Sequence, residues 1–211
     1  AARMRSSRLV TALRYGVATA LALLFLLPFY VIVRNAFSTN QNITAPRWNW
    51  LPDQLNLANL DSMLSSDSTG VLRGLLNSAI MTILQTMGTV VVSLMAGYGL
   101  ARFTHRLSKV VLGLTVFTLM VPAATTFVPM FIITAQFGWI DSFRGLVIPG
   151  MFSAFATYLF RQAFLDFPSE LEDAALMDGC NPFTAFWRIV VPNSTGTVAA
   201  VGTIVLIGSW N

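Results

Sequence analysis

The sequence predicts an all-α, polytopic membrane helix bundle that forms a single membrane domain. Three observations support this class: 55% of the 211 residues are hydrophobic, only 10% are charged, and the apolar residues fall into long runs. Soluble domains carry about 25% charged residues, which argues against an ordinary cytosolic enzyme. Because hydrocarbon offers no water to peptide groups, each run of about 20 residues must cross as a helix.

Five apolar runs predict five crossings, the fourth of which continues past Arg161. We expect them at about 15–33, 75–101, 110–134, 145–165 and 190–211, within a transmembrane domain that spans residues 15–211. The third crossing is expected to break twice, at Pro122 and Pro129, because proline removes a helix hydrogen bond.

The distribution of Lys and Arg predicts a cytoplasmic N-terminus at residues 1–14. In this orientation nine of the 13 basic residues lie in inner segments, where such residues are preferred. Residues 35–72 then form an outer loop, and residues 166–192 form a long inner segment. Since the fifth crossing ends outside, we expect a sixth helix, returning to the cytoplasm, to be missing at the C-terminus.

Several kinds of site are excluded by the residues themselves. Cys180 is the one cysteine and His105 the one histidine, so an internal disulfide, a multi-cysteine zinc site and a histidine-rich metal cluster are excluded. The sequence also has no G-x-x-x-x-G-K-[ST] phosphate-binding loop. If ATP drives this protein, the ATPase must therefore be another chain.

The inner segment begins with a short acidic helix. Ser169 and Glu172 have the spacing of a capping box, which predicts that the helix begins at Ser169. Gly179 is suited to end the helix about nine residues later. Small side chains on its apolar face would let another backbone approach closely, and this face consists of Leu171, Ala174 and Ala175.

A second short helix follows. Asn181 and Pro182 are typical of an N-cap and a first helical residue. Pro192 is expected to kink or end this helix where the fifth crossing begins. Its apolar face, at helical spacing, consists of Phe183, Phe186, Trp187 and Val190.

Two capped helices with apolar faces at the cytoplasmic surface predict a docking site for a cytosolic partner. The alternative is a solvated loop, which is the usual explanation of a run of charges. The acids of this region are Asp166, Glu170, Glu172, Asp173 and Asp178, with no basic residue between Arg161 and Arg188.

The same segment resembles the EAA loop of ABC-importer permeases, whose pattern is E-A-A, three residues, G, nine residues and I-x-L-P. Asp173 replaces the usual Glu of this pattern, and Val191 replaces the usual Leu. The positions that match in register are Ala174, Ala175, Gly179, Ile189 and Pro192.

Further stretches are similar to the carbohydrate branch of these permeases, and in particular to the smaller membrane subunit of maltose-type importers. The run F-P-S-E-L-E-D-A-A-L-M-D-G is typical of that branch. The weaker matches are Asn77-Ser78, residues 97–103 and Trp210-Asn211.

This resemblance implies a transport subunit, not an enzyme, that forms half of the pathway for a sugar or sugar-like solute in the cell membrane of a prokaryote. It implies as partners a second, different permease chain, two ATPase subunits that bind the ATP, and an extracytoplasmic solute-binding protein. This chain itself would hold no cofactor. The implied ATPase-coupling residues are Glu170, Glu172, Asp173, Ala174, Ala175, Asp178, Gly179, Phe183, Phe186, Ile189 and Pro192.

Hydroxyl and amide side chains form a polar stripe along one face of the second crossing. Such groups suit a neutral, hydrogen-bonding solute, which makes the stripe a candidate solute pathway. The alternative is helix–helix hydrogen bonding, which is common for Ser and Thr in membranes. The polar stripe consists of Ser78, Thr82, Gln85, Thr86, Thr89 and Ser93.

Two other functions compete with an ATP-driven importer. An ATP-independent secondary transporter typically contains inverted repeats and charges within the membrane, and the sequence shows neither. An integral-membrane enzyme would need a polar catalytic cluster near an interface, which is equally missing from the sequence. The spacing of the EAA pattern favours the importer.

Overall fold

The computed structural model describes residues 2–52, 54–65 and 70–210. Within these ranges all regular secondary structure is helical, which agrees with the predicted all-α membrane bundle. The chain divides into two compact units, Ala1–Arg73 and Gly74–Asn211, each with its own internal contacts.

The first unit contains the long helix α1, Ala2–Ala36. Its Val10–Ala36 part is long and apolar enough to cross a membrane, and none of its most apolar 18-residue stretch is buried within the chain. The helix continues through Pro28 and is longer than the predicted crossing at 15–33. Its apolar surface is the kind that lipid or another membrane helix covers.

Two short helices follow α1 inside the predicted outer loop: α2, Asn40–Ile43, and α3, Ala58–Ser65. Arg34, near the end of α1, is buried with its guanidinium 4.9 Å from the ring centroid of Trp48. The described part of residues 35–72 is therefore folded into local structure, rather than a plain connecting loop.

The second crossing is one unbroken helix, α4, Val71–Arg102. It includes the whole of the predicted range, 75–101. Its 32 residues span about 48 Å at the usual helical rise. The sequence of α4 contains no proline, so every residue can donate the hydrogen bond that continues the helix.

The third crossing, predicted at 110–134, is a bent pair of helices. α5, Arg106–Leu119, and α6, Ala123–Gln136, meet at 106°. The break falls at Pro122, as predicted, because this residue has no amide proton to continue α5. The second predicted break is wrong, since α6 continues through Pro129.

The fourth crossing is interrupted as well. α7, Phe143–Gly150, and α8, Ala154–Leu165, together form a candidate span of 23 residues, close to the predicted 145–165. Ser153 begins the second part, because its hydroxyl accepts a hydrogen bond from the Ala156 amide at 3.2 Å.

After α8 the chain forms α9, Ser169–Met177, and a composite helix. The composite helix consists of α10 (Pro182–Ala185), a π-helical turn (Phe186–Val190) and α11 (Val191–Asn193). It is bent by 79° from α12, Thr195–Trp210. The final apolar helix therefore begins after the bend, later than the predicted start at residue 190.

By length and composition, three helices in the described part of the chain can cross a membrane, or up to five if each bent pair is one span. The number of crossings, five, stays a prediction. The division of residues 15–211 into spans and loops stays a prediction.

The second unit has a core of aliphatic and aromatic side chains to which α4, α8, the π-helical turn and α12 contribute. Gly97 lets α4 approach α8 closely: a Cβ there would lie 2.8 Å from the Cβ of Phe160 and 2.9 Å from the amide nitrogen of Arg161. The buried residues of this core are Leu94, Ala156, Phe160, Phe164, Phe186, Val190 and Val201.

We expect Gly97→Ala to destabilise this unit by about 1–3 kcal/mol, the usual cost of overpacking. One of the opposing atoms belongs to the main chain of Arg161, so a side-chain rotation cannot relieve the clash. Thermal unfolding of the purified protein in mild detergent measures the effect. Gly113→Ala is the matched control, because a Cβ there meets nothing within 4 Å. Equal melting temperatures for the two variants would contradict the assigned contact.

Candidate functional site

Helix α9 begins at Ser169, as the sequence predicts, but the predicted capping box between Ser169 and Glu172 does not form. The residue before the helix, Pro168, provides no side-chain cap. Glu172 does not return to the start of its own helix, since its carboxylate is bonded to residues of α4. A cationic partner makes a stronger hydrogen bond to a carboxylate than a neutral backbone amide does, which explains the difference.

The carboxylate of Glu172 is held by two residues near the end of α4. The Tyr98 hydroxyl donates to Oε2 at 2.7 Å, and the Arg102 Nε donates to Oε1 at 2.8 Å. The Arg102 Nη2 also pairs with Oε1 and donates to the carbonyl of Phe167 at 3.1 Å. Glu172 is buried, with 8% of its surface exposed, so both carboxylate oxygens are used inside the chain.

Aromatic rings surround this ion pair. The Tyr98 ring lies 4.6 Å from the Phe186 ring and 5.8 Å from the Phe164 ring, measured between centroids. The Arg102 guanidinium lies 5.9 Å from the centre of the Tyr98 ring. These contacts join the inner face of α9 to α4, α8 and the π-helical turn.

Gly179 ends α9 as predicted. Its φ is +86°, a conformation that glycine adopts without strain. The Gly179 amide donates to the Leu176 carbonyl at 3.0 Å, and the Cys180 amide donates to the Ala175 carbonyl at 3.0 Å. This pair of bonds is the Schellman motif, which satisfies carbonyls left free at the helix end.

The start of the second short helix is also confirmed. The Asn181 side chain accepts a hydrogen bond from the Thr184 amide at 2.8 Å, and Pro182 is in the first turn. The π-helical turn that follows, Phe186–Val190, is not among the predicted elements. The residue that could have indicated this turn is Pro192, because it lacks the amide proton that continues a regular helix. The Asn193 side chain donates a hydrogen bond to the Ile189 carbonyl at 2.7 Å.

Some of the predicted coupling residues are buried within the chain and others are exposed on its surface. Glu172, Ala175 and Phe186 are buried within the chain, and Ile189 is half-buried. The expected apolar face is corrected too, because Leu171 and Ala174 point outward while Ala175 points inward. The coupling residues that stay exposed are Glu170, Asp173, Ala174, Asp178, Gly179, Phe183 and Pro192.

Large apolar side chains lie beside these exposed acids. Leu171 is 47% exposed, Met177 is 87% exposed and Phe183 is 64% exposed. We call the patch formed by Glu170, Leu171, Asp173, Ala174, Met177 and Phe183 the α9 surface. It combines exposed apolar area with acidic charge, as a protein-binding surface does.

The polar stripe of α4 makes hydrogen bonds to backbone carbonyls at helix ends. The hydroxyl of Thr89 donates to the Gly150 carbonyl at 3.1 Å, and that of Ser93 donates to the Ser153 carbonyl at 3.5 Å. Both carbonyls lie at the break between α7 and α8. Much of the stripe therefore satisfies backbone groups, which favours the helix-packing alternative at these positions.

The remaining residues of the polar stripe differ in their hydrogen-bond partners and surroundings. Thr82 is buried and donates to the Ser209 carbonyl at 3.4 Å, and Gln85 Nε2 lies 3.5 Å from the Gly150 carbonyl. The hydroxyl of Thr86 is buried without a hydrogen-bond partner among the described residues. Ser78 lines a cavity and is the stripe residue best placed to meet a solute.

This cavity has a volume of about 590 Å³ and lies towards the Val71 end of α4, away from Arg102. Apolar and aromatic side chains dominate its lining, together with a few polar groups that can hydrogen-bond. Its aromatic lining residues are Phe127, Phe131, Trp139 and Phe143, and its polar ones are Asn77, Ser78, Thr134, Asp141 and Ser142.

Comparison with protein families decides the identity of the chain. Residues 88–211 match the family described as "Binding-protein-dependent transport system inner membrane component". The chain belongs to this family. The matched residues include the C-terminal half of α4, the α9 surface and the cavity-lining residues of α6 and α7.

Curated proteins with similar sequences are permeases as well. The sn-glycerol-3-phosphate transport system permease protein UgpE of Escherichia coli O1:K1 / APEC is 33% identical over 190 residues, which cover 88% of this chain and 68% of the relative. The protein of the same name from Yersinia pestis bv. Antiqua (strain Antiqua) is 34% identical over 194 residues, covering 90% and 69%.

A solved structure shares the fold. It is a bacterial ABC transporter involved in the import of the acidic polysaccharide alginate, and one of its chains matches with a TM-score of 0.88 at 22% identity. The match covers 98% of this chain and 72% of that chain.

This protein is therefore a permease subunit of a binding-protein-dependent ABC importer in a bacterial inner membrane. The family is one of transport permeases rather than enzymes, and its ATPase is a separate subunit. Permeases of this family work with a partner permease, an ATPase and a solute-binding protein. The secondary-transporter alternative is not supported.

We expect Gly179→Ala to weaken the end of α9, because a side chain at positive φ costs about 1–2 kcal/mol. Solute uptake by the assembled importer is expected to fall, since the turn to Asn181 loses its geometry. Gly196→Ala is the matched control: it lies in α12 with nothing within 4 Å of its Cβ. Wild-type uptake by the Gly179 variant would show that this turn is not needed.

Proposed function

We propose that this permease forms half of the pathway for a sugar or sugar-like solute and docks cytosolic ATPase subunits through its 166–192 loop. In this proposal its N-terminus is cytoplasmic, and it pairs with a second, different permease chain. Two ATPase subunits bind the ATP, and an extracytoplasmic protein delivers the solute. The observation that carries the proposal is the α9 surface, held in a fixed geometry at both ends of α9.

The chemistry of the α9 surface suits an ATPase partner. Its apolar part, with Met177 and Phe183 the most exposed, would lose contact with water on docking. Its acids, Glu170 and Asp173, would direct it to a groove with basic residues. Because Glu172 is already paired inside the chain, it contributes to the position of α9 rather than to direct contact with the ATPase.

The solute class is supported by the cavity and by the relatives. Hydroxyl and amide groups beside aromatic rings can bind a polyhydroxylated molecule, through hydrogen bonds and apolar contact with its ring or chain. The similar proteins transport a glycerol phosphate and an acidic polysaccharide, both of which carry hydroxyl groups. Ser78, which lines the cavity, is the stripe residue that we assign to the pathway.

Purification of the full-length protein in mild detergent, with mass spectrometry of what accompanies it, tests the assembly. We expect a second permease and an ATPase with a phosphate-binding loop. The purified complex, reconstituted in vesicles with its solute-binding protein, should take up sugar only when ATP is supplied. A chain that transports alone, without ATPase, would contradict the proposal.

We expect Asp173→Lys to leave the helices assembled but to reduce ATP-dependent uptake at least about tenfold, because reversed charge opposes docking. Asp173 is exposed, so the substitution disturbs no internal contact. Uptake and ATPase co-purification are measured together. Asp173→Glu, which restores the residue usual in the EAA pattern, is the matched control and should keep full uptake. Normal uptake by the lysine variant would remove Asp173 from the docking surface.

We expect Ser78→Val to raise the solute concentration for half-maximal uptake about fivefold, the effect of losing one hydrogen bond. The maximal uptake rate should change less, since Ser78 is far along α4 from the α9 surface. Ile80→Val is the control, because this exposed residue of α4 is not among the residues that line the cavity. An unchanged concentration dependence would return Ser78 to a packing role.

A further inference from the structure

We infer that Tyr98, Arg102 and Glu172 are positioning residues that make α9 and α4 move as one body during transport. We call these three residues the α9 anchor. The inference rests on the proposed docking of an ATPase at the α9 surface. In this inference the Arg102–Glu172 ion pair transmits the displacement of α9 to α4.

The α9 anchor holds α9 at two points. Arg102 bonds the Glu172 side chain in the first turn of α9 and the Phe167 carbonyl just before it, at 3.1 Å. One attachment would leave α9 free to rotate about the bond, whereas two attachments from the same guanidinium fix its orientation. The Tyr98 hydroxyl occupies the other carboxylate oxygen at 2.7 Å.

Stability alone does not account for this arrangement. A buried ion pair contributes little net stability compared with apolar residues of the same volume, because both charges lose their hydration. Hydrogen bonds to a carboxylate are directional, whereas apolar contacts permit sliding. The α9 anchor is therefore suited to fixing a geometry. The side chains of Arg102 and Glu172 are 21% and 10% exposed, so water weakens their bonds only slightly.

The α4 helix is suited to carry the motion. It is unbroken from Val71 to Arg102, while the third and fourth crossings and the segment before α12 are all interrupted. Near the α9 anchor, Arg161 Nε of α8 donates to the Leu100 carbonyl at 3.3 Å and ties a second helix to the same end. The opposite part of α4 contributes Ser78 to the cavity lining.

A second connection from α9 towards the membrane exists, but it is less rigid. The chain passes from α9 through the π-helical turn and a 79° bend into α12. Bends and π-helical turns are places where helices deform. The α9 anchor thus connects the proposed ATPase contact to the cavity through an unbroken helix.

The test measures solute molecules transported per ATP hydrolysed, in vesicles that contain the complete importer. We expect Glu172→Gln and Arg102→Gln to lower this ratio about fivefold or more, the lower end of usual coupling effects. Tyr98→Phe keeps the ring and loses one bond, so its effect should be smaller. In each case the ATPase should remain bound and active. Arg106→Gln is the matched control, since Arg106 is exposed and outside the α9 anchor. A wild-type ratio in the Glu172 and Arg102 variants would overturn the inference.

A cross-link separates positioning from simple folding. In a Cys180→Ser background, Arg102→Cys with Glu172→Cys removes the ion pair and allows a short bifunctional thiol reagent to rejoin α9 to α4. We expect the ratio to be low before cross-linking and to recover towards the wild-type value afterwards. If α9 must slide along α4, cross-linking abolishes transport, and that outcome contradicts the inference. Failure of ATPase to bind the wild-type complex would instead contradict the proposed function.

Discussion

Each backbone carbonyl freed by a helix break inside the membrane needs a hydrogen-bond donor, because hydrocarbon supplies none. The break between α7 and α8 shows how this chain meets the constraint. Ser153 caps the start of α8, and Thr89 of α4 donates to the carbonyl of Gly150 on the other side of the break. Interrupted helices are thus paired with an unbroken one that carries hydroxyl groups, and α4 becomes the element on which the second unit is built.

The same helix organises the two functional regions. Gly97 allows α4 to pack closely against α8. Hydrogen bonds from Tyr98 and Arg102 to Glu172 hold α9 against the end of α4. Ser78, some way along the helix, lines the cavity. An importer must pass a displacement from its ATPase side to its solute side, and a single long helix with contacts in both regions meets that need. Glu172 is turned inward, so the acids that the α9 surface exposes are Glu170 and Asp173.

Local sequence rules succeeded where the chemistry is local. Gly179 and Asn181 were assigned correctly because a positive φ and an N-cap need only a few neighbouring residues. The capping-box prediction at Glu172 failed because its competing partners lie 70 and 74 positions away in the chain. Likewise, Pro122 broke its helix and Pro129 did not, so a proline alone does not determine whether neighbouring turns compensate.

The sequence by itself determined the helical membrane class and the family, because long apolar runs and the spacing of the EAA pattern can be read from consecutive residues. Only the tertiary structure decided which acids face a partner and which hydroxyls satisfy a broken helix. Glu172 and Asp173 are neighbours of the same charge, yet one is buried in an ion pair and the other is exposed. That difference depends on which helix packs against α9, and the free energy of such packing is set by contacts between residues far apart in sequence.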